Sequence, residues 1–348
     1  MQKTIWYLFL TLFLLTSFWS CENELVVAAD WKEVAVIYGA LNPNQEKNYI
    51  RIQRAYLDGN EAAIAFSNHK DSIYFDTLDV RIQEYRMLAG EIDFSFQNEF
   101  TLRKVNGTDI GMPKDSGVFY QDDNILYELS DPIKSSQFAT DYRYKIIVQN
   151  PKSGYECHAT TLSVGQAEVK GPVSNSGGTI YFSNETIPVT LQEGKHARAY
   201  KVTMDFRVEE YPKDNPSSSQ INEYTWTLVN LGKTQSLNGF NLGRYLVSSS
   251  GFFTTLSGAL PVNDNVQRRL VDFDLTYFGI SDDFNTYLSV NKPSIGIVQK
   301  KPEYTNIENG LGLFASRNSI SFKNLGFHPT TLGLIQTNDK TKNLGFVD

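Results

Sequence analysis

From Lys201 to Glu209 apolar and polar residues alternate without a break. Val202, Met204, Phe206 and Val208 are apolar, and Lys201, Thr203, Asp205, Arg207 and Glu209 lie between them. Successive side chains on a strand point to opposite faces, so this run predicts an antiparallel strand with one buried and one solvated face. Similar runs recur as EVAVIYG, YIRIQRAY, TLDVRIQEY, YTWTLVN and RLVDFDLTYF. In EIDFSFQ, Ile92, Phe94 and Phe96 are expected on one face, opposite Glu91, Asp93, Ser95 and Gln97. The segment YRYKIIVQNPKSGYECHATTLSV predicts a hairpin. Tyr142, Tyr144, Ile146 and Val148 share its apolar face, NPKSG supplies the turn, and Tyr155, Cys157 and Ala159 return on the same face. Cys157 is therefore expected as a small buried hydrophobe, with His158 pointing away.

Helical periodicity is sparse. SDDFNTYLSVNKP is the best instance, with Ser281 as N-cap, Asp282 and Asp283 in the first turn, and Phe284, Tyr287 and Leu288 at helical spacing before Pro293. The pattern as a whole predicts a mainly β protein with one or two short helices. GQAEVKGPVSNSGG, residues 165–178, reads as a loose domain boundary, and YPKDNPSSSQ, residues 211–220, as a long hairpin loop in the second domain.

The N-terminus follows neither period. Lys3 precedes an apolar run from Ile5 to Leu15, too short to span a bilayer and suited to a secretory signal. Ser20 then meets the need for a small residue before the cut, and Cys21 follows. This arrangement resembles the lipobox of bacterial lipoproteins, although Phe18 and Trp19 are bulkier than the usual residues there. The competing expectation is an ordinary secretory signal that leaves Cys21 a free thiol. Glu22 and Glu24 resemble the acidic signal that exports lipoproteins of Bacteroidota to the cell surface; a solvated acidic linker accounts for them equally well. DSI and DTL, residues 71–73 and 76–78, resemble an O-glycosylation signal of exported proteins in the same phylum, with Ser72 and Thr77 as acceptors.

Composition narrows the partners. Hydrophobic residues make up 41% and aromatics 13%, enough for real cores. A net charge of −7 with no basic run disfavours nucleic acid. It also disfavours electrostatic binding to anionic membrane surfaces, which leaves a lipid at Cys21 as the anchor. With Cys21 acylated, Cys157 has no partner for an intramolecular disulfide.

No constellation for catalysis stands out, and no catalytic residue, metal site or cofactor is expected. His69, His158, His196 and His328 are scattered, and no His-Glu-x-x-His, Gly-x-Ser-x-Gly or phosphate-cradling pattern occurs. The pairs Asp122–Asp123 and Asp282–Asp283 suit turns and caps better than the carboxyl separation of a glycosidase. Trp31, Tyr224 and Trp226 are candidates for stacking on sugars, but Tyr224, Trp226 and Leu228 share a strand face, which favours core packing.

Two regions resemble a known family. ENELVV…VAVIYGALNPNQEKNYIRIQRAYL near the start and KPEYTNIENGLGLFASRNS near the end are similar to uncharacterised outer-membrane lipoproteins of Bacteroidota that share a domain of unknown function. The resemblance implies a signal peptide over 1–20, an immunoglobulin-like β-sandwich over 21–168 and a second β-rich domain over 169–348. It also implies a TonB-dependent transporter as partner. The expected function is a non-enzymatic surface or periplasm-facing accessory to such a transporter, capturing a glycan or peptide ligand or closing the barrel. The alternatives are a fimbrial or adhesin-type subunit and, further off, a hydrolase with a site drawn from distant loops. In NIENGLGLF, Asn309-Gly310 signals a turn, Gly310 and Gly312 permit unusual backbone, and Leu311, Leu313 and Phe314 are expected to pack.

Overall fold

The alternating runs become two modules, each with its own core. The structure, a computed structural model, describes residues 33–55, 70–114, 122–173, 179–182, 185–292 and 303–347.

The first module contains β1 (Val34–Leu41), β2 (Asn48–Ala55), β3 (Asp79–Leu88), β4 (Ser95–Thr101), β5 (Arg103–Asn106), β6 (Ile125–Leu129), β7 (Thr140–Gln149) and β8 (Glu156–Leu162). A helical turn, α1 (Lys70–Ile73), precedes β3. Strands β1-β2-β6-β5 lie side by side and face a second sheet of order β4-β3-β7-β8. In chain order these are A-B-E-D against C′-C-F-G, the arrangement of an immunoglobulin-like sandwich. Ile37, Ile50 and Ile52 of one sheet bury against Ile82, Ile146 and Val148 of the other. Cys157 is fully buried among them, as its place in the hairpin predicted. Tyr144, in the first half of β7, ties the strand to the chain before it: its hydroxyl accepts the Lys134 N–H at 2.6 Å and donates to Glu84 at 2.9 Å. Lys134 Nζ in turn reaches Glu84 at 2.7 Å, so this buried carboxylate is paired.

EIDFSFQ departs from expectation. Strand β4 begins only at Ser95, Ile92 is 92% exposed and Phe96 is 55% exposed. Between the pairs Glu84↔Asn98 and Tyr85↔Phe96 the register slips, leaving Gln97 as an extra residue. Such a bulge reverses the facing of the residues beyond it. Phe96 therefore lies outside, against the edge of Tyr85, while Phe100 points into the core.

On β6, Glu128 is almost fully enclosed and accepts from Arg103 at 2.8 Å, Lys47 at 3.2 Å, Tyr49 at 3.0 Å and Ser130 at 2.9 Å. The Arg103 hydrogen bond leads the effects that hold its carboxyl down at about 2, against the opposing cost of burial. A folded-state value below the unfolded one stabilises the fold above the ordinary carboxylate range, and that contribution is lost as pH falls toward 2. Because Arg103 and Lys47 are themselves well exposed, it amounts to roughly 1–2 kcal/mol. Glu128→Gln is expected to lower the urea midpoint at pH 7 and to converge with the unsubstituted protein by about pH 2–3. An unchanged gap between the two curves across that window would contradict this account.

The second module contains β9 (Glu168–Gly171), β10 (Thr186–Gln192), β11 (Ala199–Pro212), β12 (Gln220–Lys233), β13 (Leu242–Ser248), β14 (Val266–Ile280) and β15 (Leu311–Leu325). The helices are α2 (Ser250–Ala259), α3 (Asp282–Val290) and α4 (Thr331–Thr337). Strands β12-β11-β14-β15 form one layer, and the small sheet β13-β10-β9 contributes Ile187, Val189 and Leu191 to the same core. Val202, Met204, Phe206 and Val208 are all fully buried, as their alternation predicted. Residues 213–219 form the expected hairpin loop between β11 and β12. Phe252 of α2 stacks on Phe182 at 4.3 Å and meets Trp226 at 6.0 Å. A Cβ on Gly251 would lie 2.9 Å from the Trp226 ring, so the helix sits directly on it.

The expected loose boundary is not loose over its first half. Glu168–Gly171 is strand β9, paired with β10, and Val164, Ala167, Val169 and Val173 are buried in the second core. Small residues read as linker by composition, but Ala167, Val169 and Val173 give the segment an apolar face. Residues 174–178 lie outside the described set.

One strand belongs to both modules. Leu311–Ser316 of β15 runs parallel to β1, and Arg317–Leu325 pairs antiparallel with β14, so a single eight-stranded sheet passes through the molecule. Ile307 and Phe314 consequently complete the first core, which residues 21–168 do not build alone. Around NIENGLGLF, Asn309 has φ +57° and Gly312 φ +107°. The Asn306 side chain clamps Phe314, donating to its carbonyl at 2.7 Å and accepting its N–H at 3.0 Å. Leu313 and Phe314 are buried as expected; Leu311, the first residue of β15, is 42% exposed.

Candidate functional site

The two modules meet along a polar seam. Ser316 and Asn318 of β15 are buried and hold the connecting chain, Ser316 Oγ accepting the Val164 N–H at 2.9 Å and Asn318 donating to the Val164 carbonyl at 3.1 Å. Asp141 at the start of β7 reaches across the seam. It takes Lys195 at 2.8 Å and His196 Nε2 at 2.5 Å, both from the loop between β10 and β11. His196 has φ +61°, a left-handed backbone that a non-glycine residue keeps only where its surroundings hold it.

Beside this contact lies a cavity of about 260 Å³. The first module supplies Arg143, Thr160 and Leu162 from the outward face of β7 and β8. The second supplies His196 and Leu237 from loops, and Asp282 and Asp283 from the first turn of α3. Helix α3 forms where SDDFNTYLSV predicted it and packs on the outer side of β15, with Phe284, Tyr287 and Leu288 half-buried. Ser281 stands at the N-cap position with extended backbone, but its hydroxyl does not cap the helix; it accepts the Ser316 N–H at 3.3 Å and so ties the helix to the seam.

Each charged group at the cavity is held differently. Asp282 pairs with Arg198 at 3.2 Å. Asp283 accepts from the Tyr304 hydroxyl at 2.5 Å, and burial, then this carboxylate, push that hydroxyl's pKa up. The Arg143 guanidinium lies over the Phe94 ring at 4.3 Å and the Tyr85 ring at 5.3 Å. Its buried Nε has no hydrogen-bond partner among the described residues.

A second cavity, of about 290 Å³, sits at the far end of the first module and is lined by Glu33, Arg54, Asp76, Thr77 and Lys152 among others. Ion pairing of Asp76 with Lys152 and the bond from Asn150 to Glu33 at 2.8 Å brace it. Here Thr77 is exposed on the rim, whereas Ser72 is half-buried in α1.

The remaining sequence candidates do not gather. Cys21, Glu22, Glu24, Trp31 and His69 lie outside the described residues. Trp226 is core and Tyr224 packs against that core, so neither offers an open stacking face. His158 pairs with Glu308 at 3.0 Å, and His328 contacts Thr330 and Tyr181. Asp123 bonds Lys70 at 2.6 Å and Asn106 at 2.8 Å. Among the described residues no three His, Cys, Asp or Glu side chains are grouped as a metal ion requires, and no helix is long and apolar enough to cross a membrane. Arg143 was missed because, in the hairpin, it reads only as a solvated residue opposite Tyr144. Nothing in the local pattern says that α3 and the 193–198 loop close over it.

No protein-family model matches the chain, and no curated protein sequence matches it. Among solved structures it is similar to the C-terminal globular domain of an oligosaccharyltransferase from Pyrococcus abyssi, at 11% identity and a TM-score of 0.21. That alignment covers 67% of this chain and 44% of the other, so the chain spans less than half of it. It is also similar to CBD12 from CALX1.2, at 12% identity and a TM-score of 0.14 over 74% of this chain and 88% of that one. Such scores carry no argument about function. The mainly β, immunoglobulin-like class rests on the strand order itself.

Proposed function

We propose that this chain is a lipid-anchored, non-enzymatic outer-membrane protein that captures a ligand for, or closes, a TonB-dependent transporter. The observation that carries the binding half of this reading is the seam cavity. Its carboxylates are engaged by fixed neighbours, Asp282 by Arg198 and Asp283 by Tyr304, and its His196 is held by Asp141 next to it. Groups arranged this way hold a shape and a charge pattern rather than a nucleophile poised beside its base. The shared strand β15 supports the lid role, because it couples movement of one module to the other. The lipobox-like N-terminus and the similarity of both chain ends to outer-membrane lipoproteins support the location.

Two measurements test it. Cys21→Ala is expected to abolish incorporation of labelled palmitate and to move the protein from the membrane to the soluble fraction. Palmitate labelling that persists in this variant defeats the anchor. Extraction from native membranes in mild detergent is expected to recover a TonB-dependent transporter with the lipoprotein; recovery of the lipoprotein alone defeats the partnership.

A further inference from the structure

Charge around the seam cavity is balanced except at two places. Asp282 has Arg198, and Asp141 has Lys195 and His196. Arg143 has no ion pair or hydrogen bond from its guanidinium among the described residues, only the rings of Phe94 and Tyr85 beneath it. Asp283 has only a neutral phenol, Tyr304. Both line the same cavity, yet no ion pair joins them. One cation without an ion pair and one carboxylate without a cationic side-chain partner thus stand on walls contributed by different modules.

A guanidinium seated over aromatic rings has its rotamer restricted in advance and presents a planar fork suited to a carboxylate. Asp283 has given one oxygen to Tyr304 and keeps acceptor capacity for a charged donor, since a carboxylate accepts several hydrogen bonds. Leu162, paired with Arg143 across β7 and β8, and Leu237 add apolar wall to the same cavity. The volume of about 260 Å³ corresponds to about nine waters at their liquid spacing, and so to a ligand of about that many non-hydrogen atoms. A simple anion would leave Asp283 facing it, and a neutral sugar would leave Arg143 uncompensated.

We propose that the seam cavity binds a zwitterionic ligand, an aliphatic α-amino acid or the smallest peptides, with its carboxylate on Arg143 and its ammonium on Asp283. This deepens the ligand-capture half of the function proposed above and rests on it. Because ligand bridges two modules, binding also clamps the seam, and the shared strand transmits the clamp through the sheet.

Titration calorimetry on the full mature lipoprotein in detergent, with no transporter present, tests the site independently of the partnership. The probes are L-leucine, L-leucinamide, N-acetyl-L-leucine and glucuronate. L-Leucine is expected to bind saturably, and losing either charge is expected to weaken binding about 10- to 100-fold, the range for a charge-assisted hydrogen bond. Arg143→Gln should erase the preference for leucine over leucinamide while keeping that over the acetylated form; Asp283→Asn should do the reverse. The derivative series on the unsubstituted protein reads the site even if a variant folds poorly. Absence of leucine binding at tens of millimolar, equal binding of leucinamide, or tighter binding of glucuronate each overturns the proposal. Transporter recovery with no leucine binding would leave the partnership standing and the cavity assignment refuted.

Discussion

Alanine at Gly312 is expected to destabilise the chain by roughly 3–5 kcal/mol, enough to leave little folded protein at 37 °C. Gly312 pairs with Ile37 across the parallel β1–β15 contact and has φ +107°. An added Cβ would lie 2.0 Å from the Ile37 carbonyl oxygen and 2.9 Å from its carbon. Those atoms are backbone in the middle of a sheet and cannot move aside as a side-chain tip would. Relief therefore requires β15 to leave β1, which uncovers Phe314 and Ile307 in the first core. The rest of β15 pairs with β14, so the disturbance should reach the second module too. Urea unfolding followed by far-UV circular dichroism should show one transition displaced as a whole. Gly258→Ala is the control, since a Cβ there meets nothing within 4 Å and alanine favours a helix. A Gly312→Ala midpoint equal to that of the control would mean that the two strands do not approach as described.

Much of this architecture was legible because burial on a sandwich strand imposes a period of two. Lys201–Glu209 and the Tyr142–Ala159 hairpin were read correctly for that reason. The period fails where the backbone breaks phase, and the bulge at Gln97 sent Phe96 outward although its spacing promised a buried face. Short strands fail in a different way. The four residues of β9 sit in a Gly- and Ser-rich stretch whose composition outweighed the buried side of Ala167 and Val169. Pairing between distant segments is the least visible of all. NIENGLGLF announces its turn through Asn309 and its unusual backbone through Gly312, but nothing local says that Leu311–Ser316 lie beside β1, about 275 positions earlier. The seam cavity inherits that blindness. Arg143, His196 and Asp283 come together through β15 and α3, and each alone carries an ordinary reading as a surface charge or a cap.

Arg268→Ala is expected to cost roughly 3–5 kcal/mol as well, through charge rather than shape. Arg268 on β14 is 1% exposed, one of the largest fully buried side chains. Its Nε donates to Glu210 at 2.6 Å, and its terminal nitrogens donate to the carbonyls of Leu344 at 2.6 Å and Pro261 at 2.9 Å. Its backbone N–H donates to the Gly345 carbonyl and its carbonyl accepts the Val347 N–H, at 2.9 Å each. The arginine thereby fastens the segment that buries Ile335, Leu344 and Phe346 in the second core. Removing it leaves Glu210 with Asn222 at 2.9 Å but no cation, and takes this donor from the carbonyls of Leu344 and Pro261, a penalty larger than the net worth of the ion pair itself. The loss should be uneven. Hydrogen exchange should rise most over residues 331–347, and limited proteolysis should cut there first, while the first module keeps its protection. Removing both charges separates the two contributions. Arg268→Met with Glu210→Leu eliminates the stranded carboxylate and restores apolar volume, so the double variant should recover at least half of the loss. If it is no more stable than Arg268→Ala, the carbonyls of Leu344 and Pro261, and not the carboxylate, are what the arginine is there to satisfy.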